Sequence, residues 1–186
     1  MTVAGLVLAA GAGSRFGRPK ADVTVGGARL VDRAVEVLAA GGCEQVVVIS
    51  GAVTVQVAGA SVVHNDEWAS GMGSSLRRGL AAMPDDATAA VVVLVDTPWL
   101  GAEAVRRVRA AHLAGAELAV ATYDGRRGHP VLLGREHWTP VAAAATGDLG
   151  ARAYLAGRTD VVEVDCTGTG DPTDVDVPEA LRERWV

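Results

Sequence analysis

Apolar residues recur along the chain in six runs: "AGLVLAA" (4–10), "QVVVIS" (45–50), "SVVH" (61–64), "AAVVVLVD" (89–96), "ELAVAT" (117–122) and "VVEVD" (161–165). The runs are rich in Val and Ala and are continuous rather than alternating. Such segments predict strands buried on both faces, and therefore a mostly parallel sheet. The stretches between them carry helical spacing. Leu30, Val31, Ala34, Val35 and Leu38 fall on one face of a helix that Gly41 and Gly42 end. A second helix is predicted from near Gly73 through Leu76 and Leu80 to Pro84. A third covers Ala102 to Leu113 with Gly115 behind it, and a short last one follows Pro178. Strands alternating with helices predict an α/β protein, a three-layer αβα sandwich on a Rossmann-like sheet. Ligands of such sheets bind outside the carboxyl ends of the strands. That rule selects the loop after Ala10, Asp96 at the end of the most apolar run, and the acidic segment beyond Val164.

Composition narrows the setting. A chain of 186 residues, 49% of them hydrophobic, can bury a substantial core and is expected to form one domain, 1–186. Its apolar runs stop well short of the roughly 18 residues a membrane span needs, and "MTVAGLVLAAG" lacks the basic region and cleavage pattern of a signal peptide. A cytoplasmic protein with no membrane partner is expected. Cys43 and Cys166 have no Cys or His partners at metal spacing, so buried, reduced thiols are expected. With 22 acidic against 17 basic residues, a net charge of −5 and no basic stripe, no nucleic-acid partner is expected.

The candidate chemistry begins in "LAAGAGSRFGRPK", residues 8–20, directly behind the first strand. Gly11, Gly13 and Gly17 are spaced one residue too widely for a dinucleotide fingerprint, and the second strand ends in Ser50 and Gly51, not in the acid that would hold a ribose. A P-loop is excluded, because Arg18 and Pro19 separate Gly17 from Lys20 and no hydroxyl follows the lysine. A nucleotidyltransferase loop fits. Small residues let the backbone approach a base and a triphosphate, successive N–H groups form an anion nest, and Arg15 and Lys20 add charge.

With those residues in register, "LAAGAGSRFGRPK" resembles the L-A-A-G-x-S/G-x-R-M-G-x-x-K signature of the molybdenum cofactor nucleotidyltransferases, the MobA-like NTP transferase family, with Phe16 in place of Met. The resemblance continues through "NDEWASGMGSSLRRGL" (65–80), "VLVDTPWL" (93–100, Thr97 replacing Gln or Met), "GRRGHPVLL" (125–133), "GDLGARAYL" (147–155) and "GDPTDVDVPEAL" (170–181). The R-G-H-P and G-D-x-G-A-R stretches are similar to the cytidylyltransferase branch and favour CTP over GTP.

The resemblance implies a nucleotide-diphospho-sugar transferase-like fold and a site assembled from all of these segments. Leu8, Ala9, Ala10, Gly11, Ala12, Gly13, Ser14, Arg15 and Lys20 would hold the nucleotide, with Asn65, Ser70, Gly71 and Ser75 from the second segment. Ser75 and the backbone from Ala69 to Gly73 are expected at a helix N-terminus, whose unpaired N–H groups suit anions or base carbonyls. Trp68 and Met72 are expected to pack. Asp96, with Asp174 and Asp176, would bind Mg²⁺, an ion that takes a few carboxylates plus phosphate oxygens. Asp171 is a possible third oxygen donor of the C-terminal segment. Gly128, His129, Pro130 and Asp148 would contact the acceptor. His129 is not needed as a base, because a phosphate nucleophile is already ionised; Asp148 could equally be the N-cap of the helix behind it.

The implied reaction moves a nucleoside monophosphate from CTP, or GTP, to the terminal phosphate of a molybdopterin-type cofactor and releases pyrophosphate. Lys20, Arg15 and Asp96 would be its catalytic groups, and a molybdenum hydroxylase apoenzyme a possible recipient of the product. The same fold could serve a different phosphorylated acceptor. A non-catalytic carrier of the cofactor is the alternative of another class.

Overall fold

The computed structural model describes residues 1–182; the expected domain's last four positions, 183–186, lie outside the described residues. The chain begins with β1 (Thr2–Leu8), a long loop, a 3-10 turn at Lys20–Asp22, and a two-residue hairpin of β2 (Thr24–Val25) and β3 (Ala28–Arg29). Next come α1 (Leu30–Ala40), β4 (Val46–Ser50), β5 (Ser61–His64), a 3-10 turn at Trp68–Ser70, α2 (Met72–Ala81), β6 (Ala87–Leu94) and α3 (Ala102–Leu113). The remainder is β7 (Leu118–Tyr123), β8 (Arg126–Gly134), α4 (Trp138–Ala144), α5 (Arg152–Leu155), β9 (Val162–Asp165) and α6 (Pro178–Arg182).

Seven strands form one sheet in the order β5-β4-β1-β6-β8-β7-β9, an α/β Rossmann-like arrangement. The runs of β1, β4, β6 and β7 are buried on both faces, as their continuity predicts, whereas β5 and β9, at the two edges of the sheet, are largely exposed because each has a neighbour on one side only. In β1, Val3 and Val7 join one core while Ala4, Leu6 and Leu8 join the other; in β6, Ala89, Val91 and Val93 oppose Ala90 and Val92. Leu30, Val31, Val35 and Leu38 of α1 and Ala104, Val105 and Val108 of α3 cover the first face. Leu76 and Leu80 of α2, Trp138 and Val141 of α4 and Leu155 of α5 cover the second. Each face thus removes a stripe of aliphatic side chains from water, the main favourable term in folding. Among the described residues no helix is long and apolar enough to cross a membrane.

One strand of the seven-stranded sheet falls outside the predicted set. β8 lies antiparallel between β6 and β7, pairing Val92 with Val131 and Val120 with Val131. Its sequence opens on two arginines and contains Gly128 and Pro130, residues that argue against a central strand. The ladder accommodates them by a bulge: Val120 pairs with Val131 but Ala121 with Gly128, so His129 and Pro130 are extra residues on β8.

β1 sits where the strand order reverses, with β4 on one side and β6 on the other. The crevice outside the carboxyl ends of β1 and β6 is therefore the topological switch point at which such sheets bind ligands.

Candidate functional site

The loop behind β1 is held open by its glycines and anchored by one aromatic. Gly13 has φ +62°, and a Cβ there would strike the carbonyl oxygen of Arg18, so only glycine is free of strain at this position. The Gly17 N–H donates to the Gly13 carbonyl at 2.8 Å and closes the turn. Phe16 drops into the first core, which leaves Arg15 on the outer side and returns the chain to Lys20. Phe16 therefore serves as packing where the signature has Met.

Lys20 is the centre of the site. Its Nζ donates to Asp96 Oδ2 at 3.0 Å and to Asp176 Oδ1 at 3.2 Å, and Arg15 Nη1 donates to Asp176 Oδ2 at 2.6 Å. Lys20 and Asp96 are 12% and 22% exposed, so water screens this pair only in part. Asp96 follows the end of β6, and its carbonyl accepts the Val175 N–H at 2.8 Å. Together with the Asp171 N–H to Trp99 carbonyl bond at 3.0 Å, this pins the C-terminal segment across the strand ends and delivers Asp176. Thr97, the other departure from the signature, is buried with its hydroxyl on the Leu94 carbonyl at 2.9 Å and does not line the site.

The expected three-acid metal set is not assembled. Among the described residues no group of three or more His, Cys, Asp or Glu side chains could hold a metal ion. Asp174 is exposed, and its charge acts on His129 instead. Two residues of extended chain span about 6.6 Å, enough for neighbouring carboxylates on one side of the segment to serve different partners. Asp96 and Asp176 remain, and Asp96 Oδ1 is buried with no hydrogen-bond partner among the described residues. A hard, oxygen-rich pair with an unclaimed buried oxygen suits a hard divalent cation.

Two adjoining cavities flank this cluster. The first, about 470 Å³, is lined by Leu8, Ala10 to Arg15, Lys20, Gly71, Ser75, Asp96, Asp148 and Asp176. The second, about 350 Å³, has aliphatic walls and contains Arg127, Gly128, His129 and Arg152. Leu8, Met72, Leu94 and Asp148 belong to both.

Most of the predicted nucleotide residues line the first cavity, but three do not. Ala9 faces the first core, and its N–H continues the ladder to the Ile49 carbonyl at 3.0 Å. Asn65 is a buried brace whose Nδ2 donates to the Ser74 and Ser75 hydroxyls at 2.9 and 3.1 Å. Ser70 turns back to the Glu67 carbonyl at 2.8 Å. Pro130 is buried and lies outside both linings. The α2 N-terminus also departs from expectation. Its Met72 N–H is taken by Asp148 Oδ1 at 3.3 Å and its Gly73 N–H by the Gly147 carbonyl at 2.7 Å. Asp148 thus caps α2, not the helix behind it. Trp68 and Met72 pack against the second core, as expected, and also line the first cavity; Arg127 and Arg152 line the second. Sequence reasoning named neither arginine, although Arg152 closes the quoted G-D-x-G-A-R motif.

His129 is partly buried in the wall of the second cavity. Burial, helped by the Arg152 charge and opposed by Asp174, holds its pKa down from 6.5 to about 4. The ring is therefore neutral at physiological pH and offers one donor and one acceptor, not a charge.

Nicotine blue oxidoreductase of Paenarthrobacter nicotinovorans is 37% identical over 193 residues, covering 96% of this chain and 94% of that protein. The crystal structure of Rv0371c from Mycobacterium tuberculosis H37Rv is similar at a TM-score of 0.82 with 28% identity, over 98% of this chain and 97% of that one. A structure of Rv0371c from the same organism in complex with manganese is similar at a TM-score of 0.78 with 26% identity, over 100% of this chain and 98% of that one. The family model described as the MobA-like NTP transferase domain matches residues 5–163, from within β1 through the glycine loop, Lys20 and Asp96 to the start of β9, with Asp176 beyond it. The chain belongs to the MobA-like NTP transferase family, and its enzyme class is that of the nucleotidyltransferases.

Proposed function

We propose that this enzyme transfers CMP from CTP to the terminal phosphate of a molybdopterin-type cofactor, releasing pyrophosphate with the help of Mg²⁺. The observation that carries the reading is that Lys20, Arg15, Asp96 and Asp176 meet in the lining of a glycine-walled cavity that shares Leu8, Met72, Leu94 and Asp148 with a second, aliphatic one. The first suits a triphosphate and the second a flat ring system. Arg127 and Arg152 in its wall favour an anionic acceptor, and the resemblance of "RGHPV" and "GDLGAR" to the cytidylyltransferase branch favours CTP. A cytoplasmic location belongs to the same reading.

The acceptor phosphate would attack the α-phosphorus in line, so two anions must be brought together and the protein's contribution is positioning and charge neutralisation. Lys20 and Arg15 would clamp the triphosphate and stabilise the departing pyrophosphate. Gly11 and Gly13 let the loop backbone approach it. Asp96 and Asp176 would hold Mg²⁺, which when bound supplies further neutralisation of phosphate oxygens. His129, neutral, would orient the acceptor and move no proton. Lys20→Ala is expected to lower turnover on the order of 10²-fold, as for loss of one preorganised oxyanion donor. Steady-state kinetics at saturating nucleotide check this, and near-normal turnover would remove Lys20 from the mechanism.

A second reading follows the name of the Paenarthrobacter relative, oxidation or reduction of nicotine blue; the 37% identity across nearly the whole chain favours it. The deciding experiment measures pyrophosphate release with Mg²⁺, the molybdenum-loaded pterin cofactor and CTP, GTP, ATP or UTP in separate wells. A parallel arm follows oxidation of a reduced nicotinamide nucleotide by nicotine blue. Release with CTP alone is expected. Release with GTP would move the enzyme to the sister branch, and dye turnover without pyrophosphate release would replace the transferase reading. Nucleotide binding with neither activity would point to another acceptor or to a carrier.

A further inference from the structure

Within the chain, the two cations assigned to the triphosphate and the two acids assigned to the metal are bonded to one another. Lys20 bridges Asp96 and Asp176 at 3.0 and 3.2 Å, and Arg15 holds the second oxygen of Asp176 at 2.6 Å. Both oxygens of Asp176 are engaged, whereas Asp96 keeps one, Oδ1, unclaimed beside the ammonium. A divalent cation arriving alone has to displace the ammonium from Asp176, and on Asp96 it lies beside that ammonium. A triphosphate arriving alone has to draw Lys20 and Arg15 off Asp176 and lie beside two unpaired acids. Both steps leave like charges adjacent in a partly screened cleft, where their repulsion is far stronger than in water. When the two ligands arrive together, the ions exchange partners: ammonium and guanidinium move to phosphate, carboxylates to metal, and no charge is left unpaired.

We infer that Lys20 is the built-in counter-ion of the metal site, holding Asp96 and Asp176 closed to a divalent cation until a triphosphate draws the ammonium away. The inference rests on the transferase reading of this site and adds an order to it: metal and nucleotide load as one unit. The extent of Lys20 burial suits the role, since an exposed lysine would swing aside at little cost. Arg15, 77% exposed, supplies the mobile half of the exchange.

The test separates the two ligands. Mn²⁺ binding without nucleotide is followed by the EPR signal of the free ion, for the wild type and for Lys20→Met, Lys20→Arg and Lys20→Met/Asp96→Asn. Lys20→Met is expected to bind Mn²⁺ at least about tenfold tighter than the wild type, about 1.4 kcal/mol. Lys20→Arg should stay weak, and the double variant should lose the gain. The mirror arm titrates CTP in EDTA by calorimetry. Asp176→Asn, which frees Arg15 and one bond of Lys20, should bind metal-free CTP about tenfold tighter than the wild type, because the carboxylate that competes for both cations and repels the phosphates is gone. Should Lys20→Met lose its fold, as judged by circular dichroism, the Asp176→Asn arm decides alone. A Lys20→Met protein that binds Mn²⁺ no better than the wild type, a gain that survives Asp96→Asn, or unimproved CTP binding by Asp176→Asn would each overturn the inference. Failure here with pyrophosphate release intact leaves the transferase reading standing. Absence of release with the Mn²⁺ gain present removes that reading and keeps the exchange.

Discussion

Gly11 and Gly13 stand two residues apart in the loop behind β1 and answer to different constraints. A Cβ at Gly11 meets nothing within 4 Å beyond its chain neighbours, in the lining of the first cavity, whereas one at Gly13 meets the Arg18 carbonyl at a left-handed φ of +62°. Gly11→Ala is expected to keep the wild-type Tm while raising the nucleotide KM several-fold. Gly13→Ala is expected to cost about 1–3 kcal/mol in stability. Urea unfolding beside nucleotide titration distinguishes the two effects, and a destabilised Gly11→Ala would refute the assignment of open space. His129 makes a further residue-scale prediction. Unfolded, it takes up a proton near 6.5; folded, only near 4, so across that window the unfolded chain binds more protons and stability falls as pH falls. Unfolding free energies measured at the two ends of the window should drop less for His129→Gln than for the wild type. Equal slopes would mean that the ring is not held neutral by its surroundings.

At the scale of elements, α1 and α3 were legible, whereas α4 (Trp138–Ala144) was not predicted and the capping of α2 was not legible. Leu30 to Leu38 with Gly41 and Gly42, and Ala102 to Leu113 with Gly115, predict α1 and α3 as observed, because a 3.6-residue period and a terminating glycine are local properties. The start of α2 instead depends on a loop more than seventy positions away. Asp148 and Gly147 accept its first N–H groups, and a Cβ on Gly73 would lie 2.7 Å from the Ala145 carbonyl, so helix and loop fit backbone to backbone. Asp148→Ala is expected to cost about 1 kcal/mol, the usual value of a lost N-cap, with Asp148→Asn restoring most of it. Chemical denaturation measures both. Because Asp148 lines both cavities, Asp148→Ala should also raise KM for donor and acceptor together; a change confined to one would mean that the loop does not join the two sites. β8 was the strand missed, since Gly128 and Pro130 break its pattern and only the register shift against β7 shows how the sheet absorbs them.

Over the whole molecule, two cores on opposite faces of one sheet support two cavities at its carboxyl edge. Cys43 and Cys166 are both buried free thiols, and burial pushes Cys43 up to about 12. An unprotonated sulfur is the reactive form, so both should resist an aromatic disulfide reagent in native protein and react promptly in denaturant; fast native labelling of either would contradict the packing around it. The sequence by itself determined the layer type, most element positions and the chemistry of the glycine loop with Arg15, Lys20 and Asp96. Each of these is written in residue type and short-range spacing, and the carboxyl-end rule then indicates where they meet. Only the tertiary structure decided the antiparallel insertion of β8, the parting of Asp174 from Asp176, the withdrawal of Asn65 and Ser70 from the cavity, and the entry of Trp68, Met72, Arg127 and Arg152 into the walls. Those outcomes depend on which segments become neighbours and at what register, and contacts between residues distant in sequence set both.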